Sequence, residues 1–370
     1  MEIFKPMSFD KAIAFITLFL LAVGFIMVFS TTAVAARQKY NQPLYFLIQQ
    51  IIGAAAGLVL VALILSVRRA FYQNPFLVYG LLVLSIFLLA LCFVMPTLAR
   101  VNRWVMFSGI RFQPSELAKI SLVLFLAHYI DKKRDRLQEW PSLIFPVFIV
   151  TLCTLLIMKE PDFGTALLIF FICALMLYLG GVRLLHLGVL GLAASIFFAF
   201  FLFKASYRIE RITGFMSPEK DPLGHSYQPN QSKLAVGSGG LLGVSLGEST
   251  QKLDFLPSAH TDYIYAILGE EFGLLGTLSI LVVFFIFIWR GLSISSRAPT
   301  PASQLAALGL TLVIGVQALL NITVVLGLGP AKGVPLPLVS FGRSSLICNM
   351  AAIGIILNIS QRKGNDRKKI

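Results

Sequence analysis

The chain is 370 residues long, 57% apolar and 13% charged, with a mean hydropathy of +0.83 and a net charge of +14. Soluble domains are about 45–50% apolar and about 25% charged, so this composition excludes a soluble globule, a disordered chain, a coiled coil and a disulfide scaffold, and points to an integral membrane protein. Its bases are scattered between apolar runs, which is the pattern of membrane topology and not of a nucleic-acid surface.

Apolar runs long enough to cross a bilayer core of about 30 Å lie at 12–31, 44–66, 76–95, 114–130 and 141–158. Further runs lie at 163–180, 184–203, 264–289, 304–326 and 343–360. They are continuous and not alternating, which predicts helices and not a β-barrel. The expected fold is an all-α polytopic membrane protein of about ten transmembrane helices, forming a single domain over 1–370. Three short runs, 114–130, 141–158 and 163–180, also suit re-entrant segments. The first run is too long, and too weakly basic before it, to be a cleaved signal peptide, so it is expected to remain as a helix.

Orientation follows from the bases. An inner N-terminus places Lys5, Lys11, Arg68, Arg69, Lys132, Lys133, Arg134 and Arg136 on the inner side, with Arg183, Arg290, Arg297, Arg362, Lys363, Arg367, Lys368 and Lys369. The short outer segments hold half as many: Arg37, Lys39, Arg100, Arg103, Arg111, Lys159, Lys332 and Arg343. Both termini are therefore expected to be cytoplasmic. Cys92, Cys153, Cys173 and Cys348 fall in spans without metal-ligand spacing and read as packing residues. His128, His186, His225 and His260 are equally dispersed, which argues against a zinc site.

One connection differs from the rest. Residues 204–263, between the seventh and eighth spans, form a long extracytoplasmic loop without obvious helices. It mixes charge (Arg208, Glu210, Arg211, Glu219, Lys220, Asp221, Lys233) with turns at Ser217-Pro218 and Asp221-Pro222-Leu223-Gly224. The glycine-rich run from Val236 to Gly243 suits close backbone approach at a membrane surface and lacks the Gly-Lys-Ser/Thr of a phosphate loop. The loop ends in His260-Thr261-Asp262 ahead of a long apolar run. Thr261 or Asp262 suits a helix cap; a carboxylate beside His260 at the membrane boundary also suits a general base or a cation ligand. On a continuous helix Asp262 and Glu270 would share a face and line one cavity, with Glu271 beside them.

Charges within spans cost about 2.5–3.5 kcal/mol on insertion scales, so they are paired or functional. Glu116 and Lys119 stand at i and i+3, where they can pair, and Glu160-Pro161-Asp162 adds two acids in a short outer turn whose simpler role is to cap the next helix. Bases on that side (Arg103, Arg111, Lys159, Arg208, Arg211, Lys252, Lys332) suit either interfacial anchors or contacts to a phosphate-bearing headgroup. From spacing and composition alone, an intramembrane carboxylate site with a lipid or sugar partner follows, with enzyme and transporter both open.

Several stretches resemble the SEDS family (shape, elongation, division and sporulation). They are Arg103-Trp104, Phe112-Gln113-Pro114-Ser115-Glu116-Leu117-Ala118-Lys119, Glu160-Pro161-Asp162-Phe163-Gly164-Thr165, the run Gln251 to Gly273, and Lys332 to Gly342. Together they span most of the chain. The resemblance implies a ten-helix fold in the cytoplasmic (inner) membrane and a peptidoglycan glycosyltransferase that polymerises lipid II. It implies that Asp262 is catalytic and that Glu116 and Lys119 share its cavity, where Arg103, Arg111, His260, Lys332 and Ser340 are further candidates. It also implies a divalent cation, Mg or Mn, with Asp262 as its ligand. The implied partners are a class B penicillin-binding protein, which is the crosslinking transpeptidase, and other divisome proteins, with no nucleic acid. Gln251-Lys252-Leu253 and Ala331-Lys332-Gly333 look closer to the division branch, whereas Val334-Pro335-Leu336-Pro337 looks like the elongation branch. One departure stands out: Ser340-Phe341-Gly342-Arg343-Ser344 has arginine where the family usually has a second glycine. Arg343 suits a lipid-phosphate contact or a snorkelling anchor. A lipid II flippase is the competing function, and it would need a charged cavity near the midplane with access from both sides.

Overall fold

The computed structural model describes residues 9–67, 71–95, 103–107, 110–204, 206–217, 219, 224, 226–253 and 255–361. Lys5, Arg68, Arg69, Arg100, Pro218, Lys220, the Asp221-Pro222-Leu223 turn, His225, Asp254, Arg362, Lys363, Arg367, Lys368 and Lys369 lie outside the described residues. In chain order the helices are α1 (Lys11–Tyr40), α2 (Tyr45–Ser66), α3 (Pro75–Leu91), α4 (Pro114–Lys132), α5 (Trp140–Lys159) and α6 (Phe163–Leu179). They continue with α7 (Leu184–Phe203), α8 (Ser206–Met216), α9 (Tyr227–Ser238), α10 (Ile264–Ser296), α11 (Pro301–Val325) and α12 (Arg343–Ser360).

Seven of the described helices, α1, α2, α5, α7, α10, α11 and α12, are long and apolar enough to cross a membrane; α3 and α6 are shorter apolar helices. The remaining expected span, 114–130, is α4, whose first turns carry Glu116 and Lys119. Boundaries follow capping chemistry. Asp10, Asn74, Asp162 and Thr300 accept backbone N–H groups at the starts of α1, α3, α6 and α11, and Pro75 and Pro301 follow at the first helical positions. α1 runs nine residues beyond the expected 12–31, because Arg37 and Lys39 in its last turn favour the carbonyl end and Asn41 closes it in the left-handed region.

The core is built around α4, nearly all of whose residues are buried. α3, α6, α11 and α12 pack against it, and α2 lies along α12. Small residues set that last approach: Gly57 faces Met350, and Gly354 faces Val61 and Ile64. α7 sits at the edge, with only His186 and Phe198 buried. All four cysteines are buried and free, as the packing interpretation expects.

Three features differ from the sequence expectation. Val105–Phe107 and Ile110–Phe112 pair as a two-stranded antiparallel hairpin, β1 and β2, just before α4. The long loop is not without helices: it contains α8 and α9. On α8, Arg208 donates to the carbonyls of Phe201 and Met158, tying the ends of α7 and α5. On α9, Ser232 Oγ donates to the Val325 carbonyl at the end of α11. Finally, α10 is broken at Gly273, where φ is 65° and ψ is −159°. The 240–245 backbone crosses this break: Leu274 and Leu275 donate to Gly240 and Leu241, while Val244 and Ser245 donate to Glu270 and Glu271. A Cβ on Gly243 would stand 2.1 Å from the Glu271 carbonyl oxygen, so the glycine-rich run is a close crossing of two backbones.

Candidate active site

A cavity of about 220 Å³ opens at one end of the bundle. Its walls come from separate parts of the chain: Arg103 and Trp104 before the hairpin, the first turns of α4, α6 and α12, the Thr261-Asp262 turn, and the Gly333-Val334-Pro335 stretch. The two family motifs far apart in sequence, around Glu116 and Asp262, therefore meet.

Asp262 does not cap α10. The helix begins at Ile264 after Tyr263, with no side-chain cap, because residues 258–263 fold into a turn in which Thr261 and Tyr263 donate to the Ser258 carbonyl. The Asp262 carboxylate turns instead toward the 333–335 stretch: a Cβ on Gly333 would lie 3.1 Å from its Oδ2. Its backbone carbonyl accepts from Asn321 Nδ2 at 2.7 Å. Burial, opposed by Arg103 and Arg211 and helped by Asp162, leaves the Asp262 carboxyl raised to about 6. Arg103 is held by its own neighbours, with Nε donating to the Glu160 carbonyl at 2.8 Å and a second nitrogen donating to that of Pro161.

Glu116 and Lys119 form the buried pair that their spacing predicts, at 2.9 Å with each residue 3% exposed. Lys119 Nζ also donates to Gln317 Oε1, and Ser345 Oγ donates to Glu116 Oε2 at 3.0 Å. Every oxygen of Glu116 is thus engaged, as a buried charge requires. Asp162 performs the simpler role foreseen for it, accepting from the Thr165 amide at the start of α6.

Other candidates stand elsewhere. Arg111 is exposed on β2 and does not line the cavity, because the hairpin turns it outward. His260 is a packing residue between Phe46 and Phe341, with ring centroids at 5.6 and 5.9 Å, and burial pushes its pKa down. Ser340 Oγ donates to the Thr261 carbonyl at 2.6 Å and accepts from the Leu336 amide, so it braces the turn without lining the cavity. Lys332 lies at the cavity edge with its stem against Gly164, and burial lowers its pKa. Arg343 packs its stem against Gly53 of α2. Glu270 and Glu271 do not share the cavity with Asp262, since Asp262 lies outside the helix. Glu270 holds Ser249 and Thr250, and Glu271 holds Ser30 and Lys252, so both fasten the loop to α10. Sequence reasoning missed Gln317, Asn321 and Ser345, polar residues inside apolar runs; their polarity was the available signal.

Among the described residues no group of three or more His, Cys, Asp or Glu side chains could hold a metal ion. The residues around Asp262 therefore do not by themselves make a cage for the divalent cation that the resemblance implies.

The chain matches the family profile of the cell cycle proteins FtsW, RodA and SpoVE over residues 11–365. It is 36% identical to a probable peptidoglycan glycosyltransferase FtsW of Trichlorobacter lovleyi, over 96% of this chain and 94% of that one. It is also 36% identical to the stage V sporulation protein E of Bacillus subtilis, over 96% and 98% of the two chains. Among solved structures, a chain of a peptidoglycan synthase complex that coordinates polymerisation and crosslinking superposes with a TM-score of 0.79 at 25% identity, covering 98% and 99%. The rod shape determining protein RodA of Thermus thermophilus gives 0.70 at 25% identity, covering 95% and 97%.

Proposed function

Because this chain belongs to the FtsW, RodA and SpoVE family of cell cycle proteins, we propose that it is a peptidoglycan glycosyltransferase of the cell-division type. It is a multi-pass protein of the cytoplasmic membrane and polymerises lipid II into glycan strands at the outer face. The observation that carries this reading is the Asp262 carboxylate, placed with Arg103 in a cavity that opens at one end of the bundle. The acceptor sugar hydroxyl gives its proton to the Asp262 carboxylate as its oxygen attacks the anomeric carbon of the donor. The bond to the lipid pyrophosphate breaks, and the pyrophosphate leaves with the electron pair. Positive charge on that side, from Arg103 and Arg211, offsets the charge on the departing group. A class B penicillin-binding protein is the proposed crosslinking partner, with other divisome proteins around it; likeness to a chain of a peptidoglycan synthase complex supports this.

Purified protein, with its partner transpeptidase, lipid II and a divalent cation, is expected to yield strands resolvable by size. No strands under any condition, with fluorescent lipid II still crossing liposomes, would favour transport instead.

The charge on Arg103 gives a further prediction. Arg103 favours the Asp262 carboxylate, so Arg103→Met raises the carboxyl pKa above about 6. The acid limb of the kcat/KM profile then moves to higher pH. A limb that moves downward contradicts the assigned electrostatics.

A further inference from the structure

Two side chains of α11, one helical turn apart, bridge the halves of the cavity. Gln317 accepts from Lys119 through Oε1, at 2.5 Å, and donates through Nε2 to the Pro335 carbonyl at 3.0 Å. Asn321 splits its Nδ2 between the carbonyls of Asp262 and Val334, at 2.7 and 2.8 Å. Residues at i and i+4 share one helix face, so both grip the same stretch, 333–335. That stretch lies against the Asp262 carboxylate: a Cβ at Gly333 would stand 3.1 Å from Oδ2, a tight contact. Asn321 is buried and lies outside the cavity lining, whereas Gln317 lines the cavity with both ends of its amide already committed, to Lys119 and to the Pro335 carbonyl. Lys119 has its ammonium engaged by Glu116 and Gln317 together.

We infer that Gln317 and Asn321 are positioning residues. They transmit the placement of the buried Lys119–Glu116 pair, through the 333–335 stretch, to the carboxylate of Asp262. The pair then serves the reaction by fixing a frame and not by holding the lipid phosphate. Geometry of this kind carries weight in catalysis, since a misplacement of about 1 Å costs about a hundredfold in rate. This inference rests on the proposed glycosyltransferase reaction, and strand formation by the wild type, in the same assay, tests that reading separately.

The test uses the full chain with lipid II and two variants. Asn321→Ser removes the reach to both carbonyls. Gln317→Leu removes the link between Lys119 and the Pro335 carbonyl without adding a charge beside Asp262, and it carries the test should the first variant fail to fold. The expected result is a kcat lowered by about ten- to a hundredfold with an unchanged KM for lipid II. The acid limb of kcat should also move to lower pH, because water reaching a loosened Asp262 relieves the burial that raises its pKa. A raised KM with kcat intact would make these residues substrate contacts and overturn the inference. Wild-type kinetics, or a lowered kcat with the limb unmoved, would overturn it as well.

Discussion

Asp262→Asn is expected to lower strand formation by about 10²–10⁴-fold while leaving the protein folded. The amide matches the carboxylate in shape, so the turn at 258–263 and the bond from Asn321 to the residue's backbone carbonyl remain. What is lost is the group that accepts a proton from the attacking hydroxyl. Asp262 must be ionised to act, and burial holds its carboxyl at about 6, so the wild-type rate rises with pH through that value. In the Asn variant this limb should vanish from the residual rate. Size-resolved product analysis across pH 5–8 reads both effects, and wild-type strand formation by the variant would remove Asp262 from the chemistry.

Lys119→Met is the second large effect, and it falls on stability. Removing the ammonium leaves Glu116 buried and uncompensated, with Ser345 as its remaining side-chain donor. Breaking a buried pair from one side costs about 3–5 kcal/mol. Glu116→Leu combined with Lys119→Met removes both charges and should regain most of that loss. Activity should not return with it, since Gln317 no longer has the ammonium it binds. Thermal unfolding of the purified variants decides the point; a double variant no more stable than the single one would show that the pair matters for more than mutual compensation.

The membrane helices were legible because a bilayer forces long apolar runs, and their ends were legible where Asp10, Asn74, Asp162 or Thr300 stood ready to cap. α9 was not legible. Its sequence, from Tyr227 to Ser238, is polar and carries no apolar stripe, and it is held by packing on α10 and α11, which no local signal announces. The hairpin escaped because its strands are three residues each. In the site, Glu116–Lys119 could be read from helical spacing, whereas the setting of Asp262 depends on Asn321, fifty-nine residues away. The periodic reading that put Glu270 on one face with Asp262 failed because α10 begins only at Ile264, leaving Asp262 in the preceding turn while Glu270 and Glu271 bind the loop.

The burial of Cys92, Cys153, Cys173 and Cys348 has a practical consequence for sidedness. With every native thiol shielded, the wild-type chain is a silent background for bulky membrane-impermeant maleimides, and no cysteine-free version has to be built. Ser245 is exposed beside the backbone crossing, and Ser245→Cys changes one atom there. Intact cells expressing that variant should therefore take up label from the outside medium, whereas protection until the membrane is opened would turn the whole bundle over.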